Sequence, residues 1–533
     1  MDCINDLSYP NTTLAIEARK MAQAHPTETA LYFDDGTSMT YGYAYNEALK
    51  LAGALQKLGL QPGDMLSFQL PNTPESVIVA IAASLAGLLI NPIVPIYRDR
   101  ELAFILEDAK TRVLFIPTQF RSFDFTAMLN DLRGGLPQLT HIVAVGPESE
   151  VPEGFVHYQS LVDSAAPEAY QSVDVDPNDT KIVLYTSGTT GKPKAVQHSH
   201  NTLAKALANG ATGWSLTASD LMLMPSPVTH ITGYVNGIEL PFCSDTKALL
   251  MSTWVVDKAV ALIEEYGATV CVSATPFLRE LVDTCRAQHK TLPGFRLFAC
   301  GGASVPPQLI YDVADTLADC TAVRVYGSTE TPLVTVGFPE PENTALAAET
   351  DGRIHNYEVI IVDDQDNPVA DGEEGEILVR GPAMMLGYAE DSQNDTAFNA
   401  EGFFRTGDIG KILPSAAVVI TDRKKDIIIR GGENLSAREI EEAILAHPDV
   451  AEAAVVAAPH ERLGEGVAVF VIPRDSSSAP SLQDLLDHMA TQKVAKQKWP
   501  QHLEIVTALP KTASGKVQKE RLRQQLKDQG VLL

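Results

Sequence analysis

The strongest constraint on the fold is the alternation of helical and strand periodicity through most of the chain. Residues 45–58 place Leu49, Ala52 and Leu55 on one helical face, and Gly59 follows as a stop. Pro62-Gly63-Asp64 turns the chain into the apolar segment 65–70. Segments 113–116, 141–145 and 182–185 read as short buried strands, the last running straight into a glycine-rich loop. Strands that alternate with helices are joined by crossovers, so the pattern predicts an α/β protein with largely parallel sheets.

The C-terminal part has a different texture. Residues 421–430 are highly charged and then strongly β-branched, and Gly431-Gly432 follows. Ser436-Ala437-Arg438-Glu439 has the form of a capping box, opening a helix with Ile440, Ile444 and Leu445 on its buried side. Segments 453–458 and 466–472 read as strands. The domain boundary is expected near Lys425, separating a large multi-subdomain N-terminal region, 1–424, from a small α+β C-terminal domain, 425–533. Length alone suggests about three or four folding units. No 20–50-residue repeat is visible in the sequence.

Charge narrows the function classes. With 41 Lys and Arg against 68 Asp and Glu, the net charge is −27. A field of that sign repels phosphate backbones and anionic lipid surfaces, so no nucleic-acid partner and no peripheral membrane role is expected. Any anionic substrate must be received by locally placed cations. The six cysteines (Cys3, Cys243, Cys271, Cys285, Cys300 and Cys320) form no CxxC pair, which fits a reduced, cytoplasmic protein. Asp2 and Asp6 stand where a signal peptide would carry basic residues, so none is expected. The most apolar stretch, 77–90, follows Asn72 and Pro74 and ends at Asn91-Pro92. A span needs about 20 residues, so a buried core helix is expected there and no membrane span.

The most informative segment is Tyr185-Thr186-Ser187-Gly188-Thr189-Thr190-Gly191-Lys192-Pro193-Lys194. Glycines let the backbone turn its N–H groups toward one point, and the hydroxyls and lysines add donors and positive charge. A polyphosphate suits such a loop better than a plain surface turn does. It is not the common P-loop, whose spacing needs Gly at Thr186 and Ser or Thr at Pro193.

This loop resembles the signature of the AMP-forming adenylating superfamily of acyl-CoA synthetases, peptide-synthetase adenylation domains and luciferases. Its other motifs follow in order. Gly301-Gly302-Ala303 resembles the adenine-pocket glycines, Tyr326-Gly327-Ser328-Thr329-Glu330 the Tyr-Gly-x-Thr-Glu motif, and Phe404-Arg405-Thr406-Gly407-Asp408 the Thr-Gly-Asp motif. Arg423-Lys424-Lys425-Asp426 resembles the hinge, and Leu509-Pro510-Lys511-Thr512-Ala513-Ser514-Gly515-Lys516 the C-terminal lysine motif. The likeness spans essentially the whole chain.

The resemblance implies an AMP-forming carboxylate–CoA ligase that uses ATP, Mg²⁺ and CoA. Joining a carboxylate to the α-phosphate of ATP brings two anions together, so the protein must supply charge and orientation. By resemblance Lys516 bridges the carboxylate and the α-phosphate, whereas Lys511 and Lys519 are expected to be solvated. Glu330 would hold Mg²⁺ with Thr186 as a second contact, because this ion takes few carboxylates plus substrate oxygens. Thr186, Ser187, Gly188, Thr189, Thr190, Gly191 and Lys194 would bind phosphate. Gly301, Gly302, Ala303, Gly327 and Ser328 would shape the AMP pocket, with Tyr326 stacking on adenine and Thr329 on the AMP phosphate. Asp408 would accept the two ribose hydroxyls, and Arg423 would bind ribose or phosphate. His230, Gly233 and Tyr234 are assigned to the acyl pocket, His230 also gating the route to the thiol. Further pocket residues are expected near 275–277, 301–303 and 334–337. The resemblance implies a mobile lid that turns about Lys425, with Gly431 and Gly432 lining a pantetheine tunnel.

Peptide-synthetase domains usually carry an Asp after the position of His230, yet 231–238 contains no Asp, so an α-amino acid substrate is disfavoured. An apolar acid, of short or medium chain or of cyclohexanecarboxylate type, fits better. The alternatives are an enzyme loading a separate carrier protein and a non-catalytic nucleotide-binding protein. A homodimer stays open as an assembly state. Ala195, Asp422, Ala437 and Lys519 depart from the family pattern, and Asp422, in place of Gly, puts the hinge geometry in question.

Overall fold

The structure, a computed structural model, describes residues 8–186, 193–370, 372–512 and 515–533. Ser187, Gly188, Thr189, Thr190, Gly191 and Lys192 of the glycine-rich loop lie outside the described residues, as do Ala513 and Ser514 of the lysine motif.

Among the described residues, two large sheets dominate the N-terminal region. One has seven strands in the order Thr321–Val325, Leu297–Gly301, Val270–Ala274, Leu221–Met224, Lys247–Leu250, Thr29–Phe33 and Ser38–Thr40. Every pair in it is parallel except the last. The other has eight strands, parallel from Thr180–Thr186 through Leu89–Pro92, Met65–Phe68, Val113–Pro117 and His141–Val145 to Val156–His157. The antiparallel strands Lys194–Ser199 and Gly387–Tyr388 extend it on the other side. Helices pack between and around the sheets; one large apolar cluster joins most of them, and a second, around Leu102, Leu114, Phe125 and Leu129, lies on the eight-stranded sheet.

The apolar run 77–90 divides in two. Helix Pro74–Ala86 is buried along its length, ends at Gly87 with φ +66°, and gives way to strand Leu89–Pro92. The single helix expected there is therefore a helix and a core strand, separated by a left-handed residue that glycine adopts without strain. Among the described residues no helix is long and apolar enough to cross a membrane.

A four-stranded antiparallel sheet follows, Glu358–Val362, Gly375–Arg380, Phe404–Ile412 and Val418–Arg423. A five-stranded sheet is built from Ile428–Arg430 onward, with its own apolar core around Ile440, Ile444, Val455 and Val469. Ser436 does cap helix Ala437–Leu445, accepting the Glu439 N–H at 3.1 Å. Only half of the expected capping box forms, because the Glu439 carboxylate pairs with Lys498 at 2.5 Å instead.

Candidate active site

A cavity of about 130 Å³ lies where strands of the seven-stranded sheet end. Strand Leu297–Gly301 delivers Gly301 and Gly302, strand Thr321–Val325 runs into Tyr326, Gly327, Ser328 and Thr329, and strand Val270–Ala274 ends at Ala274 on the wall. The carboxyl ends of parallel strands are where α/β folds leave such openings. Gly327 is demanded by close approach: a Cβ there would sit 2.5 Å from the Leu333 nitrogen.

On one side of the cavity, Tyr326 donates its hydroxyl to Asp408 Oδ2 at 2.7 Å, and Arg423 Nε lies 2.8 Å from Asp408 Oδ1. Asp408 and Arg423 face each other across antiparallel strands, so the ladder itself sets this pair. Burial, and then the Asp408 charge, push the Tyr326 phenol well above its ordinary range, which keeps it a donor. Asp408 Oδ1 also lifts the Arg423 guanidinium above its usual value. The carboxylate is thus pinned by one hydrogen bond and one ion pair and retains lone pairs for further donors.

Strands Thr180–Thr186 and Lys194–Ser199 form the base of the glycine-rich loop, with Thr186 opposite Lys194. The Lys194 ammonium sits 4.5 Å from the Tyr388 ring centroid, and the Tyr388 hydroxyl donates to Glu330 Oε1 at 3.0 Å. Glu330 is half-buried. No group of three or more His, Cys, Asp or Glu among the described residues could hold a metal. A single part-exposed carboxylate suits Mg²⁺, which is commonly held by one or two carboxylates and substrate oxygens, and does not make a closed protein cage.

His198, absent from the sequence assignment, supports Thr329. Its Nε2 lies 2.7 Å from the Thr329 carbonyl and its Nδ1 3.0 Å from Thr202 Oγ1. Burial lowers its pKa to about 4, so the ring is neutral. Nε2 must donate to a carbonyl, which leaves Nδ1 to accept from the Thr202 hydroxyl. Nothing in the local string Gln197-His198-Ser199 signalled this role.

Lys516 comes from the C-terminal domain yet lines the same cavity as His230 and Tyr326. Its turn is held by the Thr512 N–H donating to the Lys516 carbonyl at 2.7 Å, and by the Lys516 N–H donating to Thr512 Oγ1 at 3.1 Å. A Cβ on Gly515 would lie 3.7 Å from Pro276, which brings the turn against the N-terminal region. Burial and the Arg423 charge lower the Lys516 pKa to about 8, while Asp408 and Glu330 pull it the other way. Burial and Lys516 together lower His230 to about 4, so its imidazole is neutral. Lys511 pairs with Glu452 at 2.6 Å and Lys519 with Glu441 at 2.8 Å, both away from the cavity. The expectation that these two are solvated is corrected: Lys519 is a largely buried ion pair.

The acyl assignment needs correction. His230 lines the cavity, but Gly233 and Tyr234 do not. A Cβ on Gly233 would lie 2.0 Å from the Pro227 carbonyl oxygen, so glycine there serves chain packing. Tyr234 is fully buried in the main core, beneath the Lys181 ammonium at 5.5 Å. Ile231 and Val235, four apart on one helical face, reach the cavity instead. Of the other expected segments, Phe277, Gly301 and Gly302 line it; Thr275, Ala303 and residues 334–337 do not, Val334 and Val336 being core. Ala206, Trp214, Ser273, Asn236 and Leu333 were missed. Ser226 and Ser273 bond each other at 2.9 Å, and Asn236 donates to the Thr232 carbonyl at 2.9 Å. No Asp or Glu lines the cavity among the described residues.

Lys425 lies in the turn between the last strand of the four-stranded sheet and the first of the next, its pKa lowered by burial and by Arg423. Gly431 and Gly432, both at positive φ, make the turn after strand Ile428–Arg430. They are not part of the cavity lining.

Comparison with known proteins gives two family matches. Residues 18–389 match the AMP-binding enzyme model, and 439–516 match the AMP-binding enzyme C-terminal domain. A medium-chain fatty-acid–CoA ligase of Escherichia coli is 32% identical over 97% of this chain and 91% of its own length. An indoleacetate–CoA ligase of Aromatoleum aromaticum is 30% identical over 94% of this chain and 96% of its own. The crystal structure of ATP-bound MatB from Rhodopseudomonas palustris superposes with a TM-score of 0.86 at 26% identity, covering 97% of this chain and 99% of that one.

Proposed function

Because the chain belongs to the AMP-binding enzyme family, we propose that it activates an apolar carboxylic acid and delivers it to CoA. It is an AMP-forming carboxylate–CoA ligase, with ATP and CoA as substrates. The observation that carries the finer reading is the presence of Lys516 in a cavity that no carboxylate lines among the described residues and in which the Ser226 and Ser273 hydroxyls bond each other.

In the first half-reaction a carboxylate oxygen attacks the α-phosphate and pyrophosphate leaves with the electron pair of the broken P–O bond. The Lys516 ammonium would stabilise charge shared between the two anions. Asp408, oriented by Tyr326 and Arg423, would accept the ribose hydroxyls. Glu330 and Thr186 would hold Mg²⁺, which when bound offsets triphosphate charge. Neutral His230 borders the acid without adding a second anion or cation. In the second half-reaction the CoA thiol gives up its proton, its sulfur attacks the acyl carbon, and AMP departs. The two domains are proposed to part at Lys425, so that Lys516 withdraws and the Gly431-Gly432 face approaches.

A screen of pyrophosphate release over aliphatic, alicyclic and aromatic acids tests this. Apolar acids should support turnover, and α-amino acids should not. Turnover only with amino acids would overturn the substrate class. Comparing free CoA with a carrier protein as thiol acceptor separates the ligase from a carrier-loading enzyme. A cytoplasmic location fits the five free cysteines among the described residues. The homodimer retained as an assembly state is checked by light scattering.

A further inference from the structure

A second cavity, of about 540 Å³, lies beside the first and is lined by Thr212, Ser215, Arg296, Val336, Arg353 and His355 among others. Trp214 lines both cavities. It follows helix His200–Gly213 as its C-cap and is 2% exposed. Ala206, Gly210 and Trp214 are spaced four apart and so share one helical face. The six-membered ring of the indole fills the gap left by Gly210, where a Cβ would come within 2.8 Å of it. Its Nε1–H donates to the Val336 carbonyl at 3.0 Å, and Arg296 Nη1 donates to the Trp214 carbonyl at 3.1 Å. Both ends of the residue are therefore tied. Arg296 and Arg353 give the outer cavity no free cationic character, because they pair with Asp220 at 2.8 Å and Glu340 at 2.9 Å.

We propose that Trp214 is the partition that closes the acyl cavity and sets the upper length of the acid, with the second cavity as the space its removal would open to a longer apolar tail. This rests on the apolar-acid reading above. An acid that fits gains about fourfold in binding for each methylene it buries. Once the chain meets a tied indole the next methylene has nowhere to go, because a packed interior yields little. Ala206, on the same helical face and lining the same cavity, is the position from which the space can be narrowed.

The test is kcat/KM for pyrophosphate release with a homologous series of straight-chain acids, for the native enzyme, Trp214→Ala and Ala206→Leu. Native activity should rise with chain length and then break sharply. Trp214→Ala should move the break to longer acids, gaining about tenfold or more for the first acid the native enzyme rejects. Ala206→Leu should move it to shorter ones. KM for ATP should stay unchanged in both. A folded Trp214→Ala with the native break would overturn the partition. If Trp214→Ala fails to fold, an unchanged break in Ala206→Leu overturns it instead. If the native enzyme released no pyrophosphate with any apolar acid, the substrate reading itself would fall, and the partition with it.

Discussion

The Asp422 carboxylate accepts the Ala437 N–H at 2.7 Å through Oδ2, and the Arg423 N–H at 2.7 Å through Oδ1. One residue of the last N-terminal strand thereby takes up the first N–H of the helix that Ser436 caps. Beside it Ser436 donates to the Thr421 carbonyl at 2.8 Å, and Arg438 reaches Asp351 at 3.4 Å. The acid that departs from the family motif thus ties the C-terminal domain to the N-terminal region in the arrangement in which Lys516 lines the cavity. Removing a side-chain acceptor of a helix's first N–H groups costs about 0.5–2 kcal/mol, or roughly 2- to 30-fold in a docking equilibrium. Asp422→Gly should slow adenylation by a factor in that range while leaving thioester formation from supplied acyl-adenylate intact. Single-turnover rates of the two half-reactions check it, and an equal slowing of both would show that Asp422 serves general stability.

Lys516→Ala should abolish adenylate formation and spare thioester formation from supplied acyl-adenylate. The lysine enters the cavity from the lid, and the two chemistries are proposed to use different lid faces. Quench-flow with purified acyl-adenylate separates the steps. Loss of the second step to the same degree as the first would contradict the division.

The Lys516 pKa, lowered to about 8 by burial and by Arg423, gives a pH prediction. On the proposed mechanism the ammonium is the working form, so it is present below that value and lost above it. With the ordinary value of a free lysine near 10.4, docking the protonated side chain without ATP is disfavoured at neutral pH and improves as pH rises. kcat/KM for pyrophosphate release, which reports the free enzyme, should decline as pH rises through about 8. A profile flat to pH 10 would mean that the free enzyme does not hold Lys516 in this buried position.

Tyr326→Phe should raise KM for ATP by about tenfold or more, since hydrogen bonds to charged groups contribute about 1.5–3 kcal/mol. It deletes the 2.7 Å bond that orients Asp408 but keeps the aromatic face. KM for the acid should move little. Matching changes in both constants would point to a collapsed cavity.

What was legible in the sequence follows from how local the chemistry is. The family's motifs concentrate distinctive residues into short strings, so Tyr326, Asp408, Arg423 and Lys516 could be named from that resemblance and do converge. The rest of the cavity wall has no such string. It gathers Ala206, Trp214, Ser273 and Leu333 from separate elements, each an ordinary core residue by type. Tyr234 misled because nearness to His230 in sequence does not survive a helical turn: Ile231 and Val235 face the cavity, and Tyr234 turns into the core. Periodicity revealed the parallel sheets, but it fused helix Pro74–Ala86 with strand Leu89–Pro92 because both are almost wholly buried and so show no polar face. The antiparallel sheet between Glu358 and Arg423 lacked a distinguishing pattern among so many short strands.

His198 offers the last test, because it acts through a backbone atom that no motif reports. Its neutral ring donates to the Thr329 carbonyl and accepts from Thr202, holding Thr329 and, next to it, Glu330 at the cavity edge. His198→Ala leaves the part-buried Thr329 carbonyl without this donor, at a cost of up to about 1–3 kcal/mol. The expected result is a lower Tm together with a KM for ATP raised about fivefold or more, while KM for the acid holds. His198→Gln, whose amide can still donate, should recover part of the ATP affinity. A fall in Tm with no change in KM for ATP would make His198 a core histidine and nothing more.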